Sequence, residues 1–283
     1  MRPRKLLRWS AAALTVMLLT PVAIVWLGRW GAGPASATRD WALDHSVAPR
    51  IEFRGDSATI YGFRRFAHDT GGRYSARWDT TAVDLSRLDR VWFVLAPFGR
   101  EWTGTAHSFV TFGFGDSTFV SISVEARRER GETFGMWAGL THQLELLYVI
   151  GDENDIIRQR IIGAGYDLYL YPVATTRERA RAMFVAMLQR AEKLRTNPEY
   201  YDLFSSNCTS NLIDHVNSIV PGRIPRGIAT LLPGYSDKVA VEIGLIDAKG
   251  NRDSLRHQFR INDVVKSLPD DANFAKALRA AMK

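Results

Sequence analysis

The chain has 283 residues, 46% of them hydrophobic and 11% aromatic, which is enough for one sizeable core, and it carries no internal repeat or low-complexity tract. Its formal net charge of +7 comes mostly from the N-terminus: five of the 37 basic residues and none of the 30 acidic ones lie in the first 37 positions, leaving 32 against 30 elsewhere. So even a balance, with no basic stripe interleaved with aromatics, argues against nucleic acid as a partner, and Arg127-Arg128-Glu129-Arg130 is expected to be a solvated charged face.

In chain order, the first feature is a positive tip, Arg2, Arg4, Lys5 and Arg8, followed by an uncharged run of 19 residues from Trp9 to Leu27. As a helix these residues span about 28 Å, close to the roughly 30 Å hydrocarbon core of a bilayer. Ala35-Ser36-Ala37, by contrast, has the small-x-small form of a signal-peptidase site, and Pro21 interrupts the run. Residues 1–37 are therefore read as a membrane anchor or signal segment. The excess of Arg and Lys before it keeps the N-terminus cytoplasmic and puts residues from about 38 onward on the other side of the inner membrane.

From Ile51 to Pro97 the pattern is strand-like, with runs such as Ser57 to Tyr61 and Val91 to Leu95 between Gly- and Asp-containing turns. His107 to Phe114 and Thr118 to Glu125 flank Gly115-Asp116-Ser117 as a hairpin with a three-residue loop. Alternation fixes its register. Val110, Phe112 and Phe114 form one apolar set and Val120, Ile122 and Val124 the other, so a three-residue loop pairs Phe114 with Thr118, Thr111 with Ser121 and His107 with Glu125. Further strands are expected at Glu145 to Ile150 and Tyr166 to Pro172.

The period then changes to helical, with Ala180, Met183, Phe184, Met187, Leu188, Ala191 and Leu194 on one face, Thr175 and Glu178 as a capping box, and Pro198 beyond the end. A second helix is expected from Cys208 to about Val220, capped by Ser205 or Ser206 and terminated by Pro221. Beyond Gly222 the chain reads as loop-rich, with a terminal helix near Ala272 to Met282. The class is α+β, an antiparallel sheet with packed helices, in three parts: the segment 1–37, a catalytic domain over 38–235, and a C-terminal loop and short-helix extension over 236–283.

Cys208 is the only cysteine, in an apparently exported chain where thiols ordinarily occur in pairs. At a helix N-terminus the unsatisfied N–H groups and the helix dipole favour thiolate over thiol. Six histidines are candidate bases, and His215 is excluded because seven residues put it about 10 Å along the helix axis. His107 is preferred because its register partner Glu125 offers a carboxylate to orient the imidazole, with Ser123 as the alternative orienter and Asn207 as a further supporting residue. Backbone N–H groups around Cys208 offer an oxyanion hole. The competing reading makes Cys208 a small buried hydrophobe in a non-catalytic envelope interaction domain.

The stretches Ala106-His107-Ser108-Phe109-Val110-Thr111-Phe112-Gly113-Phe114, Ser121 to Glu129, Tyr148-Val149-Ile150-Gly151-Asp152-Glu153, Asn207-Cys208-Thr209 and Leu232-Pro233-Gly234-Tyr235-Ser236 resemble the Lnb N-terminal periplasmic domain family of bacterial envelope proteins. The family takes its name from an acyltransferase that N-acylates lipoproteins with a chain from a phospholipid, so the resemblance implies a thioester on Cys208 with His107 as base, and a lipid or lipoprotein substrate at the inner membrane. The founding acyltransferase has further transmembrane segments after this domain, whereas residues 28–283 contain no comparable apolar run. The order His then Asn-Cys is also similar to circularly permuted papain-like enzymes of the NlpC and lecithin:retinol acyltransferase type. Relatives of that fold imply peptidoglycan or peptide amidase action as an alternative. No metal or other cofactor is expected: there is no His-Glu-x-x-His, no paired cysteine, no Gly-x-Ser-x-Gly, and Gly113-Phe114-Gly115 lacks the third glycine and following helix of a dinucleotide turn.

Overall fold

A computed structural model describes residues 3–99, 104–227, 232–246, 248 and 250–282, with the side chains of 3–14 and 16 outside the description. The N-terminal segment is helix α1, Pro3–Gly31. Among the described residues no helix is long and apolar enough to cross a membrane. The sequence run Trp9 to Leu27 extends into the part whose side chains are not described.

The core is a sheet built from β1 (Arg50–Arg54), β2 (Ser57–Arg64), β5 (Trp78–Asp84), β6 (Leu88–Pro97), β7 (Ala106–Phe114), β8 (Thr118–Arg127), β9 (Glu145–Asp152) and β10 (Tyr169–Pro172), with the two-residue strands β3 (Ala67–His68) and β4 (Tyr74–Ser75) forming a separate pair. The main order is β1-β2-β9-β8-β7-β6-β10, with β5 added to β2. The class is α+β as expected, but the sheet is mixed rather than antiparallel, because β2 and β9 run parallel where Arg64 meets Gly151. That contact is tight: a Cβ on Gly151 would lie 2.8 Å from the Arg64 carbonyl oxygen, so only glycine lets the two strands close.

The hairpin register is the one set by alternation, with Phe114 opposite Thr118, Thr111 opposite Ser121 and Phe109 opposite Ser123. The buried hydroxyls of Thr111 and Ser121 satisfy each other at 2.7 Å across it. One face of the sheet, carrying Val110, Phe112 and Ile122, packs against α4 (Arg177–Thr196) and α5 (Cys208–Ile219) through Phe184, Leu188 and Leu212. The opposite face, carrying Phe109, Leu147 and Val149, packs Ile156 and Ile157 of α3 (Glu153–Arg158) together with C-terminal residues. Between β8 and β9 lies the short helix α2 (Met136–Leu140).

Three local expectations are corrected. The cap of α4 is Thr176, accepting from the Arg179 N–H, not Thr175. The cap of α5 is Asn207, one residue beyond the expected serines. The 127–130 cluster is no free solvated face: Arg127 is buried over the Trp41 ring and donates to the His45 carbonyl, while Arg128 pairs with Asp44. These arginines pin the 40–46 segment to the end of β8.

The C-terminal segment is more ordered than its composition suggested. The expected terminal helix is present as α9 (Phe274–Ala281), but α6 (Ser236–Glu242), α7 (Arg252–Phe259) and α8 (Asn262–Ser267) precede it. Val265, Phe274 and Leu278 are fully buried in the second core. Helices of six to eight residues are too short to show a convincing period and form through tertiary contacts. Buried Glu153 binds Arg279 of α9, and burial raises the Glu153 carboxyl against that pairing.

Candidate active site

The loop before α5 turns on Asp202, whose carboxylate accepts from the Phe204 N–H at 3.0 Å and from the N–H and hydroxyl of Ser205 at 2.9 Å each. Asn207 then closes a capping box: its side chain accepts from the Ser210 N–H at 2.8 Å, and the Ser210 hydroxyl accepts from the Asn207 N–H at 2.8 Å. The amide of Asn207 also donates to the Leu203 carbonyl at 2.7 Å. The next residue, Cys208, is thereby fixed as the first residue of α5, and it is buried.

His107 sits one residue into β7, on the face shared with Phe109, whereas Cys208 packs with the Val110 and Phe112 face. They meet at the start of β7, where the Ser108 hydroxyl lies 3.0 Å from that of Thr209, the residue after Cys208. The imidazole of His107 and the Cys208 sulfur are close enough there to shift each other's titration. Its Nε2 lies 2.6 Å from Ser123 Oγ and 3.3 Å from Glu125 Oε1, and Ser123 Oγ donates to that carboxylate at 2.6 Å. The two candidate orienters share one hydrogen-bonded chain: Ser123 bridges the imidazole to Glu125, and Nε2 is held on this side. His215 lies elsewhere, 2.8 Å from the Tyr148 hydroxyl.

The electrostatics follow from this arrangement. Burial is the largest single influence on His107 and opposes a charged imidazole, but the Glu125 carboxylate and the Cys208 sulfur together overcome it and raise the ring to about 9. Burial likewise pushes the Cys208 thiol up, but the hydrogen bond and charge of His107, with the Ser108 N–H, bring it down to about 7. Between these values the pair rests as thiolate and imidazolium. Glu125 is kept far below the usual carboxylate range, against its burial, by Arg160 and His107.

Two participants were not foreseen. Arg160, ion-paired with Glu125, projects from a single π turn at Gln159–Gly163 that continues α3; such turns recur at functional sites. Nothing in the local sequence marks it, since its partner lies on a strand 35 residues away. Tyr201 is buried; burial and the neighbouring Cys208 sulfur raise its phenol well above the ordinary value, so it keeps its proton. Its one sequence signal was proximity, seven residues before Cys208. Behind Thr209 a cavity of about 90 Å³ is lined by apolar residues including Val91, Val110, Leu212 and Ile246. Among the described residues no cluster of three or more His, Cys, Asp or Glu could hold a metal ion.

The family model of the Lnb N-terminal periplasmic domain matches residues 74–232, more than half of the chain and the span that contains the sheet centre, His107, Glu125 and Cys208. The chain belongs to the Lnb N-terminal periplasmic domain family. That description agrees with a domain facing the periplasm. No curated protein and no solved structure matches the chain.

Proposed function

We propose that the chain is a periplasmic, cysteine-dependent acyltransferase or hydrolase, anchored in the inner membrane by α1 and acting on a lipid or lipoprotein through a thioester at Cys208. The observation that supports this reading best is the thiolate-favouring contact of buried Cys208 with His107, backed by Ser123, Glu125 and Arg160. A structural cysteine needs no such backing. The domain core is read as a circularly permuted papain-like arrangement, in which the histidine strand precedes the cysteine helix.

In the mechanism, the Cys208 sulfur attacks an ester carbonyl carbon. The developing oxyanion lies near the Cys208 N–H and the still-protonated Tyr201 hydroxyl. As the C–O bond breaks, the leaving alkoxide takes the proton from the His107 imidazolium, giving an alcohol and a Cys208 thioester. An amine or water then attacks the thioester while His107 removes its proton, and sulfur leaves as thiolate. Ser123 and Glu125 hold the ring, and Arg160 keeps Glu125 charged. The apolar cavity beside Thr209 suits an aliphatic group next to the scissile carbonyl better than a sugar or a charged peptide.

The test is alkylation of the purified full chain with an iodoacetamide probe at neutral pH, followed by mass spectrometry after exposure to phospholipid. The expected results are rapid labelling that slows strongly in His107→Ala, and a fatty-acyl adduct on Cys208. Labelling at the rate of an ordinary buried thiol would overturn catalysis, and a peptide or muropeptide adduct would replace acyl transfer by amidase action.

A further inference from the structure

Four large apolar side chains are exposed on two neighbouring segments, Phe134 to Trp137 and the loop before Cys208, which meet where a Cβ on Gly139 would lie 2.9 Å from the Leu203 side chain. Met136 is 72% exposed and Trp137 56%, both on α2, with Phe134 just before them and Phe204 on the loop that precedes Cys208. Singly such residues need no explanation, but several together do.

Their position relative to α1 is fixed. Arg29 donates through Nε to the Leu140 carbonyl at 2.8 Å and pairs with Asp202. Gly28 lies so close to Thr141 that a Cβ there would be 2.8 Å from Thr141 Cγ2, and the Thr141 hydroxyl donates to the Trp137 carbonyl at 2.7 Å. The Tyr200 hydroxyl donates to the Ala32 carbonyl at 3.0 Å. The last turn of α1 is thus clamped to α2 and to the loop before Cys208. Trp26 and Trp30, 64% and 77% exposed, lie on the last turns of α1, next to the Gly28 and Arg29 that make these contacts.

Tryptophan is enriched where a chain passes from hydrocarbon to water. We infer that Phe134, Met136, Trp137 and Phe204 form a membrane-docking surface that dips into the periplasmic leaflet of the bilayer holding α1, so that the approach to Cys208 opens at the lipid headgroups. This rests on the reading of α1 as an anchor. The route from that surface is short: the Phe134 ring meets the Tyr201 ring edge-on at 6.1 Å, and Tyr201 is near enough to Cys208 for the sulfur to raise its phenol. A lipid ester raised slightly from the leaflet would meet the thiolate without leaving the interface.

The full chain in a Cys208→Ser background, where an introduced cysteine is the only thiol, is reconstituted in phosphatidylethanolamine–phosphatidylglycerol vesicles containing nitroxide-labelled lipid. A fluorophore is placed in turn at Trp137→Cys, at Leu19→Cys in α1, and at Asp116→Cys at the far end of β7. The nitroxides sit at a shallow acyl position, roughly 5–10 Å below the headgroups. The expected result is blue-shifted emission and quenching at 137, quenching at 19, and an unquenched, water-exposed probe at 116. Quenching at 19 without quenching at 137 overturns the docking surface and leaves the anchor standing. Absence of quenching at 19 removes the anchor and the surface together. A blue shift at 137 without lipid quenching also overturns the proposal, because protein rather than lipid then covers the patch.

Discussion

At the scale of single residues, the site is governed by one carboxylate. Glu125 lies 3.3 Å from His107 Nε2, accepts from Ser123, and is held by Arg160. In the proposed mechanism, protonation of the sulfur below pH 7 removes the nucleophile, and loss of the imidazolium above pH 9 leaves the leaving group without a donor. Turnover should therefore be bell-shaped with limbs near these values, and the alkylation rate of Cys208 should share only the lower limb. Glu125→Gln removes the main influence that raises His107, so the upper limb should move to lower pH and activity at neutral pH should fall by roughly ten- to a hundredfold; an unmoved upper limb in that variant would contradict the assignment. Ser123→Ala leaves the carboxylate in place and should act more weakly. Much of this was legible in the residue pattern, because strand alternation has a period of two and a three-residue loop forces like faces together. Arg160 and Tyr201 were not legible, since nothing local in a sequence encodes which loop folds over a strand edge.

Among the secondary-structure elements, α5 is the most consequential. Its first residue is Cys208 and its cap is Asn207, so one side chain sets both the helix start and the direction of the sulfur. Asn207→Ala should cost about 1 kcal/mol of stability, visible as a lowered thermal midpoint, and should slow Cys208 alkylation beyond what that loss explains. An alkylation rate equal to the parent's would mean that the capping box is only a stabiliser. The long helices α4 and α5 and the strands β6 to β9 could be read from periodicity, because each presents enough residues to one core. The cap positions could not be placed to the residue, since Ser205, Ser206 and Asn207 are all good caps and only tertiary packing chooses among them. The parallel join of β2 to β9 was hidden for a related reason: it is a single close approach at Gly151.

For the molecule as a whole, the C-terminal helices are part of the core. Leu278 and Phe274 are buried among Trp92, Phe109 and Leu147, and Arg279 offsets the buried charge of Glu153. Leu278→Ala should cost about 2–5 kcal/mol, measured by chemical denaturation. Deleting residues 270–283 should be worse, because it also leaves Glu153 buried without its cation; a deletion variant with parental stability would show that the preceding part folds independently. The N-terminal helix α1 is woven in just as deeply. Arg29 of α1 holds Asp202, the residue that shapes the loop leading to Cys208, and the Ser36 N–H donates to buried Glu145 at 2.6 Å. The helix proposed as the tether is thus also a strut. Proteolytic release of the domain after Ala37 would remove the cation that steadies that loop, so a shed, soluble form is expected to have a looser thiol as well as a lost address.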